Sequence, residues 1–270
     1  MSPRYEANLS MLFTELPLLQ RPAAAAAAGF TAVEFWWPFP AAVPADGEID
    51  SFVTAVSDAG VQLAGLNFFA GDMPGGDRGA VSWPARSTEF RDNIEVTIGI
   101  GERLGCRAFN ALYGNRVDGV SPDEQDELAV ANLALAGQAA ARIGGTVLIE
   151  PVSGAPRYPL RTTADVIAVI DRVGEQTGVH NLGFLCDLYH LAVNGDDLDK
   201  VISEYGDRVA HVQIADAPGR GEPGTGELEL DRYLGELAAQ GYDGWVGLEY
   251  KPTAGTEDGL RWLPRDRRAA

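Results

Sequence analysis

The chain has 270 residues, 46% of them hydrophobic and 22% charged, a balance that buries the core of a large domain and excludes a disordered or disulfide-stapled chain. Its 39 acidic and 21 basic residues leave a net charge of −18, which repels nucleic acid and anionic membrane because binding there needs cations at phosphates. No apolar run reaches the ~18–20 residues of a membrane span. The first ten residues lack a secretory leader, and two cysteines, Cys106 and Cys186, suit a reducing cytoplasm, so a cytoplasmic location is expected.

In chain order, short apolar runs read as buried strands at Tyr5–Asn8, Ala32–Phe35, Gln62–Asn67, Arg107–Asn110, Thr146–Glu150, Leu182–Asp187, Val209–Gln213 and Trp245–Glu249. Helical segments alternate with them. The alanine tract at 23–28 reads as helix, with Pro22 at its start and Gly29 as its stop. Ser121, Pro122 and Glu124 open a helix as a capping box, and Leu128, Ala131, Leu135, Ala139 and Ile143 form its apolar stripe up to Gly144. A second helix spans Thr162–Gly174 with Val166, Ile167, Ile170 and Val173 inward. A third follows Asp231, with Tyr233, Leu234 and Leu237 before Gly241. Eight strand-helix units of roughly 34 residues favour a (β/α)8 TIM barrel, one domain over 1–270, above an open doubly wound sheet, which would leave strands over.

A polar residue ends each apolar run: Asn8, Glu34, Asn67, Asn110, Glu150, Asp187, Gln213 and Glu249. A barrel brings all eight to one mouth, where active sites of this fold sit. Glu150, Asp187, Gln213 and Glu249 offer only oxygen ligands. Three carboxylates at one mouth need a cation among them, and an all-oxygen set suits Mg²⁺ or Mn²⁺ better than zinc.

The chain resembles the hydroxypyruvate isomerase family of xylose-isomerase-like TIM barrels almost end to end. The resemblance is carried by A-N-L-S-M-L-F at 7–13, A-G-F-T-A-V-E-F at 28–35, A-G-D at 70–72, E-F-R-D at 89–92 and L-I-E-P at 148–151. It continues in D-L-Y-H at 187–190, H-V-Q-I-A-D at 211–216, G-R-G-E-P-G-T-G-E at 219–227 and G-W-V-G-L-E-Y-K-P at 244–252. Pro22 departs from it, falling where that family has a continuous first helix. The resemblance implies one divalent metal on Glu150, Asp187, Gln213 and Glu249, with Glu150 and Glu249 also passing protons through an enediolate. Sugar epimerases of the superfamily carry a histidine where this chain has Gln213, which argues against a 3-epimerase. The matching histidine and arginine of related enzymes touch substrate oxygens, which marks His190 and Arg220. Lys251, just past Glu249, is a second cation for an anionic substrate. His211 lies deeper, in the core or behind the ligands, and His180 on a surface loop.

The implied substrate is a small 2-oxo acid or sugar-like molecule: hydroxypyruvate and 2-hydroxy-3-oxopropanoate, or else a 2-oxo-tetronate or ketose. An apurinic endonuclease would need more than three histidines and a basic surface; a sugar-binding barrel without catalysis would not need both glutamates. Homo-oligomers are common among such barrels. Gly219, Gly221 and Gly224 match a dinucleotide fingerprint only formally, because no helix opens on them. The Gly71–Gly79 stretch, with Asp72 and Arg78, reads as a loop over the site, either a lid or plain turns.

Overall fold

Runs of apolar residues without alternation are what a parallel strand needs when both its faces are covered. A computed structural model describes residues 3–269 and contains eight such strands. They pair in chain order and close, β8 returning to β1 with Arg4 opposite Trp245 and Ala7 opposite Leu248. The order is β1 (Arg4–Asn8), α1 (Arg21–Ala27), β2 (Ala32–Phe35), α2 (Asp46–Ala59), β3 (Gln62–Asn67), α3 (Ser87–Leu104), β4 (Ala108–Asn110) and α4 (Pro122–Ala141). Then come β5 (Thr146–Ile149), α5 (Thr163–Thr177), β6 (Leu182–Asp187), α6 (Leu188–Asn194), α7 (Leu198–Tyr205), β7 (Val209–Ile214), α8 (Leu230–Ala239), β8 (Trp245–Leu248) and the single turn α9 (Thr256–Gly259). Among the described residues no helix is long and apolar enough to cross a membrane.

The expected strands are present, with small shifts at their ends. β5 and β8 stop at Ile149 and Leu248, so Glu150 and Glu249 begin the following loops. β7 runs one residue past Gln213, while β2 keeps its expected bounds, with Phe35 following Glu34. Pro22 sits in the first turn of α1, where its missing N–H costs nothing, after a short 3-10 turn at Leu18–Gln20. Gly29, at φ +102°, ends that segment as expected.

Three helix expectations need correction. The Ser121 hydroxyl accepts from the Glu124 N–H, but α4 has no reciprocal bond from Glu124. Its buried face is also different: Ala131 and Leu135 are exposed, whereas Ala129, Leu133, Ala136 and Ala140 are buried. Alanine on every side gives α4 little amphipathic contrast, so a stripe could be drawn along either face. The buried face carries Asn132 and Gln125, polar groups that look wrong in a core until their bonds are traced. Asn132 Nδ2 donates to Val81 O (2.8 Å) and Gln125 Nε2 to Ser82 O (3.0 Å). Third, α5 continues through Gly174 to Thr177 and stops at Gly178, φ +74°; Thr162 and Asp165 cap its start reciprocally.

Buried polar groups must be paired, and here the pairing fixes loops. Asn93 on α3 accepts from Phe69 N (2.8 Å) and donates to Ala42 O (2.8 Å). Together with Asn132 and Gln125 it clamps the connections after β2 and β3 from outside the barrel. The inside is polar as well. Glu6, Asn8, Glu34, His211 and Gln213 are buried there, where such barrels usually hold branched apolar side chains. Gly65, paired with Glu34, and Gly247, paired with Gln213, leave the room. A Cβ on Gly65 would lie 3.1 Å from the Glu34 side chain, and one on Gly247 would collide with the Glu34 carboxylate.

Candidate active site

Four consecutive strand ends deliver Glu150, Asp187, Gln213 and Glu249 to one mouth, all buried. Asp187 ends β6 and caps α6, its Oδ1 accepting from His190 N (3.0 Å). That bond fixes the carboxylate and brings His190 onto the same side, with Nε2 at 3.7 Å from Asp187 Oδ2. The ligand atoms of Asp187, His190 and Glu249 lie within 4.8 Å of one another. Glu249 is gripped twice, by Asn8 Nδ2 at Oε2 (3.1 Å) and by the Arg220 guanidinium at Oε1.

Behind these groups Glu34 holds the set in register. It accepts from Gln213 Nε2 (2.9 Å) and Asn8 Nδ2 (2.9 Å) and pairs with His211 Nε2 (3.0 Å). His211 also approaches Glu6 (3.3 Å), which places it deeper in the barrel than the four mouth residues. Burial, and then the Glu34 charge, push the Glu6 carboxyl well above the usual range, which favours its protonated, neutral form.

Burial first, then the charge of Asp187, raise the Glu150 pKa to about 8. Burial likewise raises Glu249 well above its ordinary value, with Arg220 opposing and Glu150 and Asp187 adding to the rise. His190 is shifted the other way, to about 4, by burial. Its Nδ1 accepts from Ser153 N (3.0 Å), so the neutral ring carries its proton on Nε2, facing the carboxylates.

The donor set fits a divalent cation. Gln213 Oε1 is buried without a partner, while Glu34 takes its N–H. Three mutually repelling carboxyls are matched by one arginine, and a cation among them would remove that repulsion. Oxygen donors alone from Glu150, Asp187, Gln213 and Glu249 are the kind Mg²⁺ or Mn²⁺ takes.

Above the carboxyls opens a cavity of about 680 Å³. Glu150, Glu249, His190 and Arg220 reach it, as do Asn67 and the apolar walls of Trp36, Trp37, Phe69 and Met73. Lys251 does not line this cavity: its side chain is exposed, and only its backbone N–H connects inward, to Arg220 O (2.7 Å). Arg220 stands at φ +60°, uncommon for a residue with a Cβ. Asp216 sustains that turn by accepting from Ala217, Gly224 and Leu228 N–H groups. The loop opens no helix until Leu230, so the glycine run is a tight turn. Cys186 and Cys106 are buried free thiols whose pKa burial raises, Cys106 to about 12; His180 is exposed.

The contacts of several contributors escape a reading of strand ends. Ser153, Asn8 and the aromatic wall act through neighbours distant in sequence, and Asp216 through a loop conformation that its bonds to Ala217, Gly224 and Leu228 create. Asn8 had a signal, as one of the eight ends, but no spacing shows that it touches Glu249.

Residues 22–265 match the model of the xylose isomerase-like TIM barrel family. A Streptomyces coelicolor protein carrying the hydroxypyruvate isomerase name is 57% identical over 99% of this chain and 98% of its own. The hydroxypyruvate isomerase of Escherichia coli is 36% identical, covering 96% of this chain and 98% of that protein. A 2-oxo-tetronate isomerase of Cupriavidus necator is also 36% identical, over 97% of each.

Proposed function

The chain belongs to the hydroxypyruvate isomerase family of xylose isomerase-like TIM barrels and is an isomerase, and on that premise we propose that it interconverts hydroxypyruvate and 2-hydroxy-3-oxopropanoate with one divalent cation, Mg²⁺ or Mn²⁺. The observation that carries the reading is the opening of two buried glutamates, Glu150 and Glu249, on one cavity beside Asp187 and the unpartnered oxygen of Gln213.

The reaction moves a proton from C3 to C2 and another from the C3 hydroxyl to the C2 carbonyl oxygen. One glutamate takes the C3 proton as the enediolate forms, and the other returns a proton to C2. Their raised pKa values suit carboxyls that must hold a proton as readily as release it. Neutral His190 donates from Nε2 to a substrate oxygen, and Arg220 and Asn8 keep Glu249 aimed. When bound to Glu150, Asp187, Gln213 and Glu249, the cation supplies Lewis-acid stabilisation of the enediolate oxygens.

A second reading, the same chemistry on a 2-oxo-tetronate, is favoured by the cavity, whose 680 Å³ exceeds the needs of a three-carbon acid. Chelator-stripped protein, refilled with Mg²⁺ or Mn²⁺ and given each acid in D₂O, separates these. The expected result is metal-dependent turnover with deuterium entering at the reacting carbon. Unchanged rates in the stripped protein remove the cation, and failure on both acids removes the assignment.

A further inference from the structure

Three arginines line the cavity: Arg78, Arg86 and Arg220. Two are already neutralised. Arg86 is paired with Asp77 (2.8 Å) and Glu89 (3.1 Å), and Arg220 with Glu249. Arg78 has no carboxylate partner among the described residues. Its Nη1 donates to Met73 O (2.9 Å) and Asp77 O (2.6 Å), which leaves Nε and Nη2 free.

The charges at the carboxyls sharpen the contrast. Glu150, Asp187 and Glu249 carry three negative charges when ionised, and Arg220 with one divalent cation balances them. Nothing in that group is left for the negative charge of the substrate. A carboxylate that gives up water to enter the cavity needs its own cation and hydrogen-bond donors. We propose that Arg78 binds the substrate carboxylate, and so selects 2-oxo acids over neutral ketoses of the same length.

The position is built to hold such a cation still. The loop closes on itself through Gly79 N to Ala70 O (2.9 Å) and Asp77 N to Asp72 O (3.0 Å). Asp77 is held by Arg86, and Asn115 Nδ2 donates to Gly76 O (3.0 Å). Gly79, at φ +107°, packs so tightly on the Leu112 backbone that a Cβ would collide with it. The Arg78 backbone is therefore fixed before ligand arrives, which spares affinity the cost of ordering it. Half-buried Arg78 is also near enough for its charge to bear on the His190 ring.

The proposal rests on the 2-oxo acid reading, and binding tests it apart from turnover. Calorimetry on Mg²⁺-loaded protein compares hydroxypyruvate with dihydroxyacetone, its neutral counterpart with a hydroxymethyl in place of the carboxylate. Arg78→Gln should weaken hydroxypyruvate roughly ten- to a hundredfold, the loss expected of a charge-assisted bond, and leave dihydroxyacetone within about twofold. Arg78→Lys, which keeps charge but loses the fork, should fall between. Arg220→Ala should weaken both ligands alike, because its charge is committed to Glu249. Equal losses for the two ligands in Arg78→Gln, or no loss, overturn the role of Arg78; retained dihydroxyacetone binding certifies the fold. Wild-type protein that binds hydroxypyruvate without isomerising it overturns the activity but leaves the Arg78 comparison readable. Wild-type protein that binds neither overturns both.

Discussion

A carboxyl that passes protons can be told from one that only ligates by removing its ionisation and keeping its shape. Glu249→Gln and Glu150→Gln retain an oxygen for metal. If both glutamates pass protons, turnover at saturating Mg²⁺ should fall by roughly 10²–10⁴-fold in each. Deuterium exchange then separates the halves of the reaction. The variant that lost only the return step still washes solvent deuterium into substrate, and the variant that lost abstraction does not. Near wild-type rates in both metal-loaded variants remove the shuttle. His190 contributes differently: with its pKa near 4 it stays a neutral donor across ordinary assay conditions, so an inflection near pH 6–7 that vanishes in His190→Gln contradicts its assignment.

Among the elements, α4 offers the sharpest test of which face is buried. Leu133 is fully buried, and Leu135, two residues on, is 42% exposed. Leu133→Ala should cost about 2–5 kcal/mol of unfolding free energy and Leu135→Ala under about 0.5 kcal/mol, read from denaturant titrations. Similar values for both contradict the packing described. The misreading of α4 shows where sequence stops being legible. Strand-forming runs of β2, β3 and β6 carry their own boundaries because every side chain in them but that of Gln62, the first residue of β3, is buried. An alanine-rich helix carries none, and the polar groups that mark its inner face, Asn132 and Gln125, do so through bonds to a loop 51 and 43 residues earlier. The same division runs through the site. Glu150, Asp187, Gln213 and Glu249 could be read as strand ends, since β/α alternation delivers strand ends to one mouth. Lys251 shared that position in sequence but turns to solvent, and the engagement of Arg220 with Glu249 depends on a loop conformation set by Asp216. No spacing rule encodes either.

For the molecule as a whole, the proposed cation would compete with protons for the same carboxyls. Glu150 titrates near 8 when folded against about 4.3 when unfolded. A raised carboxyl contributes stability that is complete below the unfolded value and lost as pH climbs through the folded one. Metal-free protein should therefore melt lower at pH 8 than at pH 6 from this group, with Glu249 and Glu6 acting in the same direction. Mg²⁺ or Mn²⁺ should reverse the loss, raising the melting temperature by roughly 5–10 °C at pH 6 when supplied at a hundred times its Kd there, and by more at pH 8 at the same metal concentration. Binding should release protons, visible as a buffer-dependent heat. An equal rise at both pH values, with no protons released, takes the glutamates out of the metal set. The seating of Glu34 between Gly65 and Gly247 reaches further, into what mutation can do over time. Three positions on three strands form a single heritable character. While the glutamate stands, neither glycine can gain a side chain without displacing it. Once the glutamate is lost, Gly65 is free to enlarge and Gly247 is restrained only by the Gln213 side chain, 3.0 Å from a Cβ there, and a methyl acquired at either works against the way back.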